Sequence, residues 1–405
     1  MLYQLYQPWE DANAVARVAA GSMAGVLGRL PLGLSEFLPI RSLRAAYDVF
    51  SQTGVTHERP SFGIDSVRVG RREFAVVEKV VLSTPFCSLL HFAKPGAPPQ
   101  PTVLVVAPIS GHFATLLRAT VATLSTDHDV YVTDWHNARD VPVADGRFNF
   151  DDCVLHIRSF LEHLGSDTHL VAVCQPCVPA LAAVSLLAQD RSPAQPRTMT
   201  LIAGPIDTRV NPTAVNELAT SHDIGWFERN VISTVPWPFA GAGRRVYPGF
   251  LQLTAFVNMN LDRHVSKHLE LWGSLVRGET ERAQSTREFY DEYFAVLDLT
   301  ADFYLDTVRR VFQTFELARG VLDVDGTRVD PRAIRRTALL TVEGERDDIC
   351  SVGQTMAAQD LCASIPNSRR MHHLQAGVGH YGVFSGSRWE TQIAPRVRSF
   401  ILAHG

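Results

Sequence analysis

The sequence predicts an α/β fold: a mostly parallel sheet with helices on both faces, interrupted late in the chain by a largely helical insertion. Three observations predict it. Short continuous apolar runs such as Thr102–Ala107 have the pattern of strands buried on both faces of a parallel sheet. Between these runs stand helix-length stretches joined by short loops, the alternation of right-handed βαβ units. The alternation stops at Gly204 and resumes only at Ala338, leaving roughly 130 residues of mainly helical texture.

Taken in order, residues 1–60 form a helical extension, with Ala- and Leu-rich stretches at Ala14–Leu27 and Ile40–Phe50 broken by Pro31 and Pro39. From Arg72 the texture turns to β, with short apolar runs at Phe74–Val77 and Val80–Leu82. After the linker Pro95–Pro101 come strands at Thr102–Ala107, Asp129–Thr133, His169–Val173 and Thr198–Ala203. Helices at Phe113–Leu124, Phe150–Leu164 and Val178–Ala188 stand between them. Two further strands, Ala338–Val342 and Met371–Leu374, close the sheet. The core is therefore assigned to 61–204 and 330–405 and the insertion to 205–329, with helices at Phe250–Asn260, Arg287–Leu297 and Ala301–Ala318.

Composition excludes several classes of function. With Lys+Arg 38 against Asp+Glu 42 in 405 residues, the net charge of −4 offers no basic footprint for nucleic acid. No window reaches the ~18 consecutive apolar residues that a membrane span requires. The opening Met1–Leu5 lacks a basic region and a long apolar run ahead of Glu10 and Asp11, so no secretory signal is expected. Six cysteines are too sparse for a disulfide scaffold and point to a reduced, cytoplasmic setting. Of 36 aromatic residues, 16 fall between 205 and 319. They are either the insertion's own core or a groove for an apolar ligand under a cap; Trp226 and Trp237 are candidates for that contact.

The strand Val171–Val173 runs straight into Cys174-Gln175-Pro176 with a helix behind it. In α/β-hydrolases the nucleophile sits on such a strand-to-helix turn, in a box of the form small-x-nucleophile-x-small. Ala172 and Pro176 take the small positions and Cys174 the nucleophile's. The helix N-terminus behind it favours a thiolate. Cys177 competes, but it would fall a turn into the helix, and Pro176 and Pro179 suit the helix's first turn. Cys174-x-x-Cys177 also admits a redox dithiol. A zinc site would need further Cys or His at metal spacing, and none is there.

A thiol nucleophile needs a base, and the base an orienting acid. The strand at 338–342 ends in Glu343-Gly344-Glu345-Arg346-Asp347-Asp348, where the acid is expected; Asp347 is favoured, with Asp348 as fallback. His380, set among Gly377, Gly379 and Gly382, is the base, in preference to His372 and His373. Oxyanion donors are expected from the amides of Gln175 and of Ile109 or Ser110. His112 and Tyr381 are placed at the substrate.

Assembled, the chain resembles the intracellular poly(3-hydroxybutyrate) depolymerases, most specifically at Ala107–Phe113, Thr133–Arg139 and Val173–Pro179. The resemblance implies an α/β-hydrolase fold, a catalytic cysteine in a Cys174–His380–Asp347 triad, and no metal or organic cofactor. It further implies polyester on cytoplasmic granules as the partner and substrate. Coenzyme A stays open as an acyl acceptor beside water, and a homodimer stays open as well. Polyester synthases look similar, but their box usually carries glycines where Ala172 and Pro176 stand. A non-catalytic granule-binding protein is the reading from another class.

Overall fold

The computed structural model describes residues 2–31, 33–259 and 261–405; Met1 and Asn260, where the extension was taken to begin and one insertion helix to end, lie outside them. Eight strands form the main sheet: β1 (Val77–Ser83), β2 (Cys87–Ala93), β3 (Thr102–Val106), β4 (Asp129–Trp135), β5 (Thr168–Val173), β6 (Thr198–Ile202), β7 (Ala338–Gly344) and β8 (Arg370–Gln375). Their spatial order is β1-β2-β4-β3-β5-β6-β7-β8. β2 pairs antiparallel with both β1 and β4, and every pairing from β4 to β8 is parallel.

The inner strands earn their places by composition. Every residue of β5 is buried, and Val103–Val106 of β3 have no exposed surface. Such strands, apolar on both faces, are stable only between two layers of helices.

The helices of seven residues or more are α1 (Leu2–Gly28), α2 (Leu38–Ser51), α3 (Arg118–Ser125), α4 (Phe150–Leu164), α5 (Cys177–Gln189), α6 (Ala214–Ser221), α7 (Ile224–Asn230), α8 (Gly249–Met259), α9 (Leu261–Arg277), α10 (Thr280–Tyr293), α11 (Ala301–Thr307) and α12 (Ala394–His404). α4 starts at a reciprocal capping box between Asn149 and Asp152. α5 is apolar all round, and Cys177–Ala188 are buried throughout, as befits a helix at the centre of the molecule.

α6 to α11 lie between β6 and β7. With them lies a small antiparallel sheet of Ser233–Thr234, Arg245–Tyr247 and Leu299–Thr300. Where the sequence suggested one helix over Ala301–Ala318, α11 instead passes into a π-helical segment, Val308–Gln313, and ends there. The stretch Arg287–Leu297 is the end of α10 followed by extended chain, because Val296 bonds to Thr56 and Leu297 to Gly111.

The N-terminal extension is tied to this region. Tyr3 is fully buried, and its hydroxyl donates to Asp298 Oδ2 at 2.8 Å; Gly249 N donates to Asp298 Oδ1 at 2.9 Å. Asn137 Oδ1, just past β4, accepts from Asp298 N at 2.9 Å. Burial pushes the Asp298 carboxyl up to about 6. Asp298 thus joins α1 and α8 through its carboxylate and the end of β4 through its backbone amide.

Candidate active site

Cys174 occupies the turn between β5 and α5 with φ of 65°, a left-handed conformation that costs energy in any residue with a Cβ and gathers at functional positions. The turn is held by Cys174 N donating to Ile202 O at 2.7 Å and Cys177 N to Cys174 O at 3.0 Å. It also depends on Gly204 at the end of β6. A Cβ there would stand 2.2 Å from Cys177 Cβ and 2.4 Å from its Sγ. Gly204→Ala is expected to destabilise the protein by about 1–3 kcal/mol, read as a lower urea midpoint; an unchanged midpoint would mean that the turn relaxes freely.

His380 Nε2 lies 3.2 Å from Cys174 Sγ, and His380 Nδ1 lies 2.8 Å from Asp347 Oδ2. The other oxygen of Asp347 accepts from Ile349 N at 2.9 Å and Cys350 N at 2.8 Å, so the carboxylate has one orientation. Burial opposes charge on His380, but the Asp347 carboxylate and then the Cys174 sulfur outweigh it, holding the imidazole well above its ordinary pKa. Cys174, His380 and Asp347 thus form one hydrogen-bonded chain drawn from three separate loops.

The alternatives weighed in the sequence sit elsewhere. Asp348 is exposed. Glu343 is buried and accepts from Gly353, Thr355 and Met356 amides, which makes it an anchor for the chain after β7. Cys177 Sγ is fully buried against the carbonyls of Ala172 and Ile202 at 3.3 and 3.6 Å, and burial drives its pKa well up. His372 meets Thr341 Oγ1 at 3.0 Å and His373 meets Gln375 Oε1 at 3.0 Å.

A cavity of about 540 Å³, mainly apolar, opens on this chain. Ile109, Ser110 and Gln175 line it beside Cys174, which puts the loop after β3 and the first residue past the elbow at the sulfur. That loop is set by the end of β4. Ala107 N donates to Thr133 Oγ1 at 2.9 Å, and Trp135 Nε1 donates to Ala107 O at 2.9 Å. The far wall is built by the insertion, with Val215, Phe227, Tyr247, Phe303, Tyr304 and Phe312.

Of the four residues expected at the substrate, His112 and Tyr381 line the cavity. His112 is buried with Nε2 donating to Tyr293 O at 3.2 Å, and burial lowers its pKa to about 4, so the ring is neutral. Trp226 and Trp237 need correction, because neither is among the lining residues. Trp226 stacks on His222 at 4.1 Å, and Trp237 stands 86% exposed. Nine of the other insertion rings take one of the two roles: five line the cavity, while Phe289, Tyr290, Tyr293 and Phe294 pack on one another. Among the described residues no group of three or more His, Cys, Asp or Glu is placed to hold a metal ion.

An eight-stranded sheet in this order, with an antiparallel second strand and a left-handed residue on the turn after β5, defines the α/β-hydrolase class. Residues 203–405 match the family described as PHB de-polymerase C-terminus. The chain belongs to the PHB (polyhydroxybutyrate) depolymerase family of ester hydrolases. The matched span contains Asp347 and His380 and begins beyond Cys174.

Among solved structures the chain is similar to 2-hydroxy-6-oxo-6-phenylhexa-2,4-dienoate hydrolase from Rhodococcus sp. strain RHA1, at 12% identity over 81% of this chain and 99% of that one, TM-score 0.42. It is similar to a thermophilic esterase from Thermogutta terrifontis at 13% over 82% and 99%, TM-score 0.42. It is also similar to the thioesterase domain of the curacin biosynthetic pathway at 14% over 81% and 99%, TM-score 0.42. No curated protein sequence matches it.

Proposed function

We propose that the protein cleaves the ester bonds of stored poly(3-hydroxybutyrate) through a thioester on Cys174. One observation carries this reading: Cys174 and His380 of the Cys174–His380–Asp347 chain line an apolar cavity large enough for several hydroxyacyl units. The raised pKa of His380 suits it to take the Cys174 proton as the sulfur attacks.

The Cys174 thiolate attacks the ester carbonyl, and the oxyanion rests on the amides of Gln175 and of Ile109 or Ser110. His380 then gives its proton to the departing chain alcohol, leaving an acyl thioester. Water deprotonated by His380 attacks the thioester and releases a 3-hydroxy acid or oligomer; coenzyme A in place of water would release a thioester. No step requires a metal or organic cofactor. The enzyme works on cytoplasmic granules, where the polymer lies.

The test is mass spectrometry of products from amorphous poly(3-hydroxybutyrate) particles, with and without coenzyme A. Free 3-hydroxybutyrate or its oligomers are expected. Polymer growth from 3-hydroxybutyryl thioester without release would sink the depolymerase reading in favour of a synthase-like transferase. Particle binding without turnover would leave a coat protein.

A further inference from the structure

The insertion's rings are mostly spent on its own packing and on the cavity, so they leave little surface for an insoluble substrate. The densest exposed apolar surface lies on the N-terminal extension. Among the described residues, 12 of the 28 large apolar side chains that stand exposed come from residues 2–50, about an eighth of the chain. On α1 they include Leu5 (73% exposed), Trp9 (62%), Val15 and Val18 (72% each), Met23 and Val26. From Ala12 to Val26 the exposed positions of α1 hold no charged residue: Arg17 is half-buried and paired with Glu10.

A surface helix normally turns a polar face to water. From Ala12 to Val26, about 22 Å of axis, α1 turns no charged residue to water. Exposed apolar residues continue onto its neighbours, there flanked by charged ones, Arg44 on α2 and Asp262, Lys267 and Glu270 on α9. α2 packs on both α1 and α9; Leu38 and Leu43 are exposed on α2, and α9 carries the exposed stripe Leu261, Val265, Leu269 and Trp272. α9 follows directly on α8, whose Gln252 and Ala255 line the cavity.

We propose that the α1–α2–α9 face is the surface by which the protein docks on bulk amorphous polyester. This rests on the depolymerase reading above and adds to it a second, non-catalytic contact. Charge matching favours this occupant. A polyester surface carries esters, methylenes and methyls but no ions, so a charged side chain set against it would lose water and gain no counter-charge. An uncharged helix face buries apolar area there at no such cost. A helix lying on anionic lipid carries a polar face rich in Lys and Arg, which α1 lacks. The location beside α8 keeps the cavity near the polymer while the face stays attached.

The experiment is co-sedimentation of the full chain with protein-free amorphous poly(3-hydroxybutyrate) particles, run beside neutral and anionic phospholipid vesicles. Light scattering reports the oligomeric state, and hydrolysis of a soluble 3-hydroxybutyrate trimer ester reports the site. Val15→Glu with Val18→Glu, and separately Leu269→Glu, should each weaken particle binding, the double variant by roughly tenfold or more. Trimer hydrolysis should stay within about twofold. Leu402→Glu, on α12 and 62% exposed, should bind as the parent does.

Unchanged binding in both α1 and α9 variants overturns the proposal. So does a parent dimer that the double variant converts to monomer, or equal parent binding to anionic vesicles. A parent that binds particles but fails on the trimer ester would sink the esterase reading and leave the docking result standing.

Discussion

Cys174→Ala should lower ester hydrolysis by about 10⁴-fold or more, whereas Cys177→Ala should retain activity within a few-fold. The reason lies in where the two sulfurs point. Cys174 Sγ faces His380 Nε2 at 3.2 Å and lines the cavity, while Cys177 Sγ is fully buried against strand carbonyls, with its pKa driven well up by burial. The stability costs run the other way. Removing a sulfur from a fully packed site costs about 1 kcal/mol, and Cys174, only partly buried and held at positive φ, should cost less. Activity on a soluble ester and urea unfolding of both variants check this. Activity lost in Cys177→Ala and kept in Cys174→Ala would overturn the assignment.

Asp347→Asn should cut turnover by about 10³–10⁴-fold and move the alkaline limb of the pH profile to lower pH. The amide's Nδ2 would face His380 Nδ1, so the ring would carry its proton on Nε2, the nitrogen that has to accept one from the thiol. The sign of the pH effect follows from the forces on the imidazole. Burial pulls its pKa down and the Asp347 carboxylate, with the Cys174 sulfur, pushes it up. Removing the carboxylate leaves burial less opposed, so the imidazolium is lost at lower pH. Alkylation of Cys174 by iodoacetamide, followed against pH, reads the same change through the thiolate. A parent-like alkaline limb in the variant would rule out Asp347 as the partner of His380.

The parallel half of the sheet was legible because β3, β5, β6 and β7 are mostly apolar runs, a pattern that depends on local sequence alone. β2 escaped notice although Leu89, Leu90 and Phe92 are as buried as any strand residue. It lies antiparallel beside a Pro-rich linker, outside the βαβ rhythm that located the others. α9 escaped for a different reason: its 261, 265, 269 spacing is helical, but those residues face outward, so the stripe pointed to no core. At the site, Cys174, Asp347 and His380 were legible because chain order and loop position restrict such residues in this fold. The cavity wall from α6, α8 and α11 was not, since Val215, Gln252 and Phe303 meet only through tertiary packing. Nor was the part played by Thr133 and Trp135, whose bonds to Ala107 set the loop after β3 from a neighbouring strand.

The buried bond between Tyr3 and Asp298 joins residues 295 positions apart. A ribosome adding about 5–20 residues per second makes the first of these partners roughly 15–60 s before the second. For most of that interval α1 has no Asp298, no α8 and no cap to lie against, and its uncharged face is without even its one buried side. The first helix made is thus among the last to be seated, and nascent chains stalled ahead of residue 298 should be the form of this protein most prone to aggregate.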